Sequence, residues 1–132
     1  MSTKTTEADF RQYVAHCKYW MTRLSIGQYS YAFVVDDIER DASITTNDEM
    51  SALVRLGVNR EDFYSVPWLA RHEMLEVLVD DSFRELYQTY NNEYIQEKRH
   101  RLIHRLEKIL PLPTDKEVGF VGCGKKKKPK GK

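Results

Sequence analysis

The chain has 132 residues and a mass of 15.6 kDa, enough for one domain with a modest core and too small for two. Hydrophobic residues make up 41% and charged residues 31%, and no apolar run approaches the roughly 18 residues that a membrane span needs. The net charge of +1 conceals an asymmetry: residues 125–132, KKKKPKGK, hold six of the 21 Lys and Arg and no acid, so the preceding 124 residues carry 15 bases against 20 acids, a net of −5. An acidic body with a short basic tail argues against a folded nucleic-acid-binding domain, whose positive charge would be spread over one face.

The opening MSTKTTEADF has no apolar segment of a signal peptide, and Cys17 and Cys123 form no C-x-x-C, so a reduced, cytoplasmic protein is expected. Residues 1–7 read as a frayed polar end. Thr6-x-x-Asp9 has the form of a capping box, and Phe10, Tyr13, Val14, Cys17, Met21 and Leu24 follow at helical spacing, which predicts an amphipathic helix over 7–25 closed near Gly27. Cys17 falls on the apolar stripe and reads as core; His16 is offset from it and reads as surface.

Residues 28–57 change character. QYSYAFVVDDI, ASITT and MSALVRLGV are rich in aromatic and β-branched residues and predict two or three antiparallel strands, with Asn47-Asp48 as a turn. Residues 58–65 read as a loop. Ser65 can cap a helix with Pro67 in its first turn, running to about Val79. A second piece, FRELYQTY, follows, with Asn91-Asn92 as a weak breaker. A last helix from about Glu93 to Leu110 is closed by Pro111 and Pro113. The expected fold is therefore α+β, with an N-terminal helix, a small sheet and two or three further helices over 1–113, and a Gly- and Lys-rich flexible tail over 114–132 that carries Cys123.

The helix around residue 72 carries the chemistry. With His72 at zero and about 100° per residue, Glu76 falls near 40°, Leu69 near 60°, Trp68 near 320°, Val79 near 340° and Leu75 near 300°. His72 and Glu76 thus sit in the apolar stripe one turn apart, with Glu73 at about 100° on its edge. Burying both groups without partners is costly. Two answers are open: a metal ion held by His72 and Glu76, or a buried pair in which they contact each other or the basic residues of the last helix.

The string Ala70-Arg71-His72-Glu73-Met74-Leu75-Glu76-Val77-Leu78 resembles the H-E-x-x-H helix of zincin-type metallopeptidases, with Glu76 where the second histidine stands. In particular it is similar to the small, mostly phage-encoded metallopeptidases of the zincin-like superfamily. These share an N-terminal helix with a Trp, two or three strands, an A-R-H-E-x-x-H helix and a final helix ending in a basic-L-E pattern. The counterparts here are Trp20, the strands within 28–57, Ala70 to Glu73, and His104-Arg105-Leu106-Glu107. The resemblance spans roughly residues 8–110 and implies His72 and Glu76 as metal ligands, Glu73 as general base, a zinc cofactor and a peptide or protein substrate. Glu76 adds negative charge at the ion, which weakens its Lewis acidity and favours a harder cation such as manganese. A third ligand is expected from the last helix, where Glu93, Glu97, His100 and His104 are candidates, His100 first and Glu97 second.

Two other functions stand beside this one: a non-catalytic protein-binding descendant of the same fold, and a nucleic-acid-associated accessory protein tethered by the lysine tail. Lys98, Arg99, Arg101 and Arg105 read as a solvated helix face. Of the eight tyrosines, Tyr64, Tyr87, Tyr90 and Tyr94 could pave a peptide cleft or pack beneath the sheet.

Overall fold

A computed structural model describes residues 2–47, 49–61, 63–84, 86 and 92–121. The order is β1 (Ser2–Lys4), α1 (Glu7–Arg23), β2 (Ser30–Asp36), β3 (Ala42–Thr46), β4 (Ser51–Gly57), β5 (Asn59–Glu61), α2 (Val66–Phe83), α3 (Asn92–Ile109) and α4 (Asp115–Val118). The fold is α+β, with an N-terminal helix, two small sheets and further helices. Asp48 of the expected turn, Asn91, most of the FRELYQTY piece, Cys123 and the lysine tail lie outside the described residues. No helix of the described residues is long and apolar enough to cross a membrane.

The helix starts follow their capping chemistry. Thr6 Oγ1 accepts from the Asp9 N–H and the Thr6 N–H donates to Asp9 Oδ2, each at 3.0 Å, so two end groups of α1 are satisfied reciprocally. Ser65 Oγ accepts from the Trp68 N–H at 3.2 Å to open α2, with Pro67 in its first turn. At the other end of α1 it is Ser25, not Gly27, that takes the left-handed conformation, at φ 56°.

Two expectations fail at the N-terminal end. Residues 2–4 are not frayed, because β1 pairs with β5 in antiparallel register, Thr3 opposite Arg60. The 58–65 loop thereby contains a strand. Arg60, 4% exposed, anchors the pair by donating from Nε to Thr5 Oγ1 at 2.9 Å and from its guanidinium to Asp9 Oδ2 at 3.0 Å.

The second sheet has the order β2–β4–β3, and its pairing departs from the all-antiparallel expectation. β3 runs antiparallel to β4, but β2 runs parallel to it, with Val54 facing Phe33 on one side and Ile44 on the other. Such an order requires the link after β2 to cross the end of β4 before β3 begins. Residues 37–41 make that crossing at Gly57: the Gly57 N–H donates to the Asp41 carbonyl at 2.8 Å, and a Cβ on Gly57 would stand 2.7 Å from the Arg40 carbonyl oxygen. The crossing carries Glu39, Arg40 and Asp41 over the edge of the sheet towards α2.

α1 and α2 pack together on one face of this sheet. Tyr13, Cys17 and Trp20 meet Leu69, Ala70, Met74 and Val77, and both sets meet Ala42, Ala52, Val54 and Leu56. Cys17 is core, as expected. A smaller cluster of Leu75, Val79 and Ile103 joins α2 to α3. Arg71, 6% exposed, reinforces it by donating to the Leu110 carbonyl at 2.6 Å, which places a cation at the C-terminal end of α3. His16 is fully buried rather than on the surface, with Nε2 2.8 Å from Asp115 Oδ1. The reason is α4, which the composition of 114–132 conceals and which covers the outer side of α1.

Gly57→Ala is expected to destabilise the fold by about 1–3 kcal/mol in urea unfolding, the cost of forcing a methyl against backbone. Gly27→Ala, where a Cβ meets nothing within 4 Å, is the control and should leave the midpoint nearly unchanged.

Candidate metal centre and cleft

α2 is buried on two sides, by α1 and the sheet on one and by α3 on the other. A single apolar stripe is therefore the wrong description of it. Glu73 lies with Leu69, Ala70, Met74 and Val77 on the sheet side and is 4% exposed, deeper than His72 and Glu76. One ligand atom from each of His72, Glu73 and Glu76 lies within 4.8 Å of the others, a separation at which they could hold one cation.

A chain of charged contacts fixes this group. Glu107 Oε2 on α3 is 2.6 Å from His72 Nδ1, and Glu76 Oε2 is 3.0 Å from His72 Nε2. The other oxygen of Glu76 accepts from Arg99 at 2.7 Å, and Arg99 Nε donates to Asp80. The imidazole is thus held at both nitrogens and the Glu76 carboxylate at both oxygens. Burial by itself would lower the pKa of His72, but the hydrogen bonds to Glu76 and Glu107 and the nearby carboxylate charges raise it to about 9. Glu76 is also burdened by burial, yet its bonds to His72 and Arg99 keep it below the ordinary carboxylate value. Glu73 is helped only by the charges of His72, Arg40 and Arg99, which act to lower it and are outweighed. Among the described residues no hydrogen bond reaches its carboxyl, and burial followed by the charge of Glu76 raises its pKa to about 8.

The group faces a cleft of about 820 Å³, of the size that takes small molecules or peptide side chains. Its walls are Glu39, Arg40 and Asp41 of the crossing with Ala42 at the start of β3, Glu61 at the end of β5, the segment before α2, and His104 of α3. Tyr64, Trp68, His72 and Glu76 follow one another at intervals of four residues along one line of α2 and its approach. Tyr64 stacks on Trp68 with centroids 3.8 Å apart and planes 9° apart, and Trp68 stacks on His72 at 4.9 Å and 11°. Phe63 meets Tyr64 edge to face at 4.8 Å and is 79% exposed. Tyr64 therefore belongs to the cleft wall.

The last-helix candidates fall in different places. Glu97 is exposed and pairs with Arg101 at 3.5 Å. His100 is exposed and borders a neighbouring cavity with Glu76, Asp80 and Arg99. His104 lines the main cleft, 68% exposed, with Nδ1 3.5 Å from Glu107 Oε1. Arg99 and Glu107, to which the sequence assigns no part in the site, matter more. Arg99 is buried rather than part of a solvated basic face. The signal was present: with Leu106 at 180°, Arg99 falls at about 200°, inside the apolar stripe of α3. Glu107 falls at about 280°, beside it.

The chain matches no protein-family model, no curated protein and no solved structure. What the site does must be argued from its own chemistry.

A group that holds its proton more tightly in the folded chain stabilises the fold only while protonated. His72 contributes fully below its ordinary value of 6.5, and that contribution is lost as pH rises through about 9. Glu73 acts in the same direction, since folding becomes harder as its carboxyl ionises between its ordinary 4.5 and about 8. The urea midpoint is expected to fall between about pH 6 and about pH 9. Glu73→Gln should flatten that fall and stabilise the protein at about pH 8 by roughly 1–3 kcal/mol. A Glu73→Gln protein less stable than its parent there would contradict an unpaired buried carboxyl.

Proposed function

We propose that the cleft is the active centre of a metal-dependent hydrolase of the zincin type acting on peptide bonds, with His72 and Glu76 holding the ion and Glu73 as general base. The observation that carries this reading is Glu73 itself. It is buried, faces the cleft, makes no hydrogen bond among the described residues and is pushed to about 8. Stability alone disfavours such a group, and carboxyls with that profile in a cleft are characteristic of proton-transfer sites.

The donor set supports the choice of ion. With Glu73 kept as base, the protein donors are one imidazole nitrogen of His72, which must give up its proton on binding, and a carboxylate oxygen of Glu76, a set that suits zinc or a harder divalent ion such as manganese. Glu107 on Nδ1 fixes the orientation of the ring and directs Nε2 towards Glu76, the arrangement in which a second carboxylate aligns a ligating histidine. When bound, the ion supplies Lewis acidity to a carbonyl and to water. Glu73 then takes the proton from the attacking water and delivers it to the leaving amine. The exposed Tyr64 ring and the edge of Trp68, which is stacked on both Tyr64 and His72, wall one side of the cleft.

A second reading, a non-catalytic binding protein, is favoured by one observation: His72 and Arg99 already supply two positive charges to the carboxylates of the site. Elemental analysis of untagged protein purified without chelator separates the two. The hydrolase reading expects about one equivalent of zinc or manganese, lost in His72→Ala. It also expects Glu73→Gln to keep the ion and reduce peptide hydrolysis by about a hundredfold or more. Protein free of metal, with His72→Ala merely less stable, would overturn it in favour of binding alone.

A further inference from the structure

We infer that the cleft selects peptides carrying a lysine or arginine, whose cation sits between the exposed rings of Phe63 and Tyr64 and the carboxylates of Glu39, Asp41 and Glu61. This rests on the proposed peptidase reading, and it names the substrate class of the same cleft.

The cleft is polarised along its length. Arg40 lies at the end shared with the neighbouring cavity that holds Glu76, Asp80 and Arg99, so positive charge is concentrated beside the reacting groups. Glu39, Asp41 and Glu61 lie at the other end, where the cleft runs on into a groove bordered also by Asp37 and Asn59 and, among the described residues, lined by no cationic side chain. Asp41 is fixed there, since its Oδ1 accepts from the Glu61 N–H at 2.8 Å. The carboxylate of Glu61 forms none of the ion pairs among the described residues, and that of Glu39 likewise.

The aromatic wall points to the same ligand. Phe63 is 79% exposed and Tyr64 40% exposed, although both are large and abut the built part of the cleft. Rings left open beside unpaired carboxylates form a site for an organic cation, which the ring face attracts and the carboxylates neutralise. A bare acidic rim would attract any cation without discrimination. Here the Glu73 carboxyl, 4% exposed and without a hydrogen bond among the described residues, faces the same cleft and marks it as one that receives a ligand. A peptide with its basic side chain at the acidic end runs along the Tyr64–Trp68–His72 line and brings its backbone to Glu73.

The test is calorimetric titration of the full chain, with chelator present, using two capped decapeptides of alanine and glycine that differ only in a central arginine or citrulline. The arginine peptide is expected to bind about tenfold tighter, and the preference to shrink as salt rises. Glu39→Gln with Glu61→Gln should abolish the preference; both side chains are exposed and lie outside the core. Equal affinity for the two peptides, no binding of either, or a preference that survives the double variant overturns the inference. Because chelator is present throughout, the result does not depend on metal. A preserved preference in protein that takes up no ion keeps this inference and defeats the hydrolase reading. Metal-dependent hydrolysis without the preference does the reverse.

Discussion

The His72 imidazole, gripped at Nδ1 by Glu107 and at Nε2 by Glu76, is the contact on which the rest of the site depends. It ties α3 to α2 by charge where the apolar cluster of Leu75, Val79 and Ile103 ties them by packing. The tie extends through Glu76 to Arg99 and on to Asp80, so that five side chains from two helices share one set of charges. Removing His72, Glu76 or Arg99 breaks two of these contacts at once. The helices are thereby fixed in rotation about each other, and that rotation decides which side chains meet the cleft.

A second constraint comes from the sheet. A parallel pair formed by β2 and β4 around a central strand forces the intervening link across the end of β4, and Gly57 is the residue that lets backbone pass there. The link brings Glu39, Arg40 and Asp41 to the edge of α2. The strand order that requires the crossing thereby supplies one wall of the cleft. The geometry of the pocket is therefore set partly by strand order, a property that no residue in the pocket encodes.

How much of this was legible in the sequence varies with the physics involved. The helices were legible because capping and periodicity are local: Thr6 with Asp9, and Ser65 with Pro67, mark their own starts. The strands were legible as segments, but not their pairing. The parallel match of β2 to β4 depends on residues 37–41 crossing, and nothing in those five residues distinguishes a crossing from a hairpin. The pairing of Ser2–Lys4 with Asn59–Glu61 joins segments too polar and too distant to suggest each other. In α2 the wheel found the grouping of His72, Glu73 and Glu76 but misjudged depth, because it assumed one buried side where the helix has two. In α3 the wheel itself placed Arg99 among the apolar residues. Its place in a run of basic residues is what suggests a solvated face.

The substitution that separates this chain from the H-E-x-x-H pattern meets a counterpart in Arg99. A glutamate at position 76 adds a negative charge that a histidine would not bring, beside a Glu73 that is already hard to ionise. Arg99 returns a positive charge to the same place, bonded to Glu76 Oε1 and leaving Oε2 on the His72 side. The carboxylate is thus divided between two duties: one oxygen is neutralised by a guanidinium, and the other faces the point where His72 and Glu73 converge. A network built only to join two helices would be complete with Glu107, His72, Glu76, Arg99 and Asp80. Glu73 receives no hydrogen bond from it among the described residues, and the charge of Glu76 makes it harder to ionise. Under the proposed hydrolase reading both residues have a purpose, Arg99 in offsetting the charge of Glu76 and Glu73 in moving a proton.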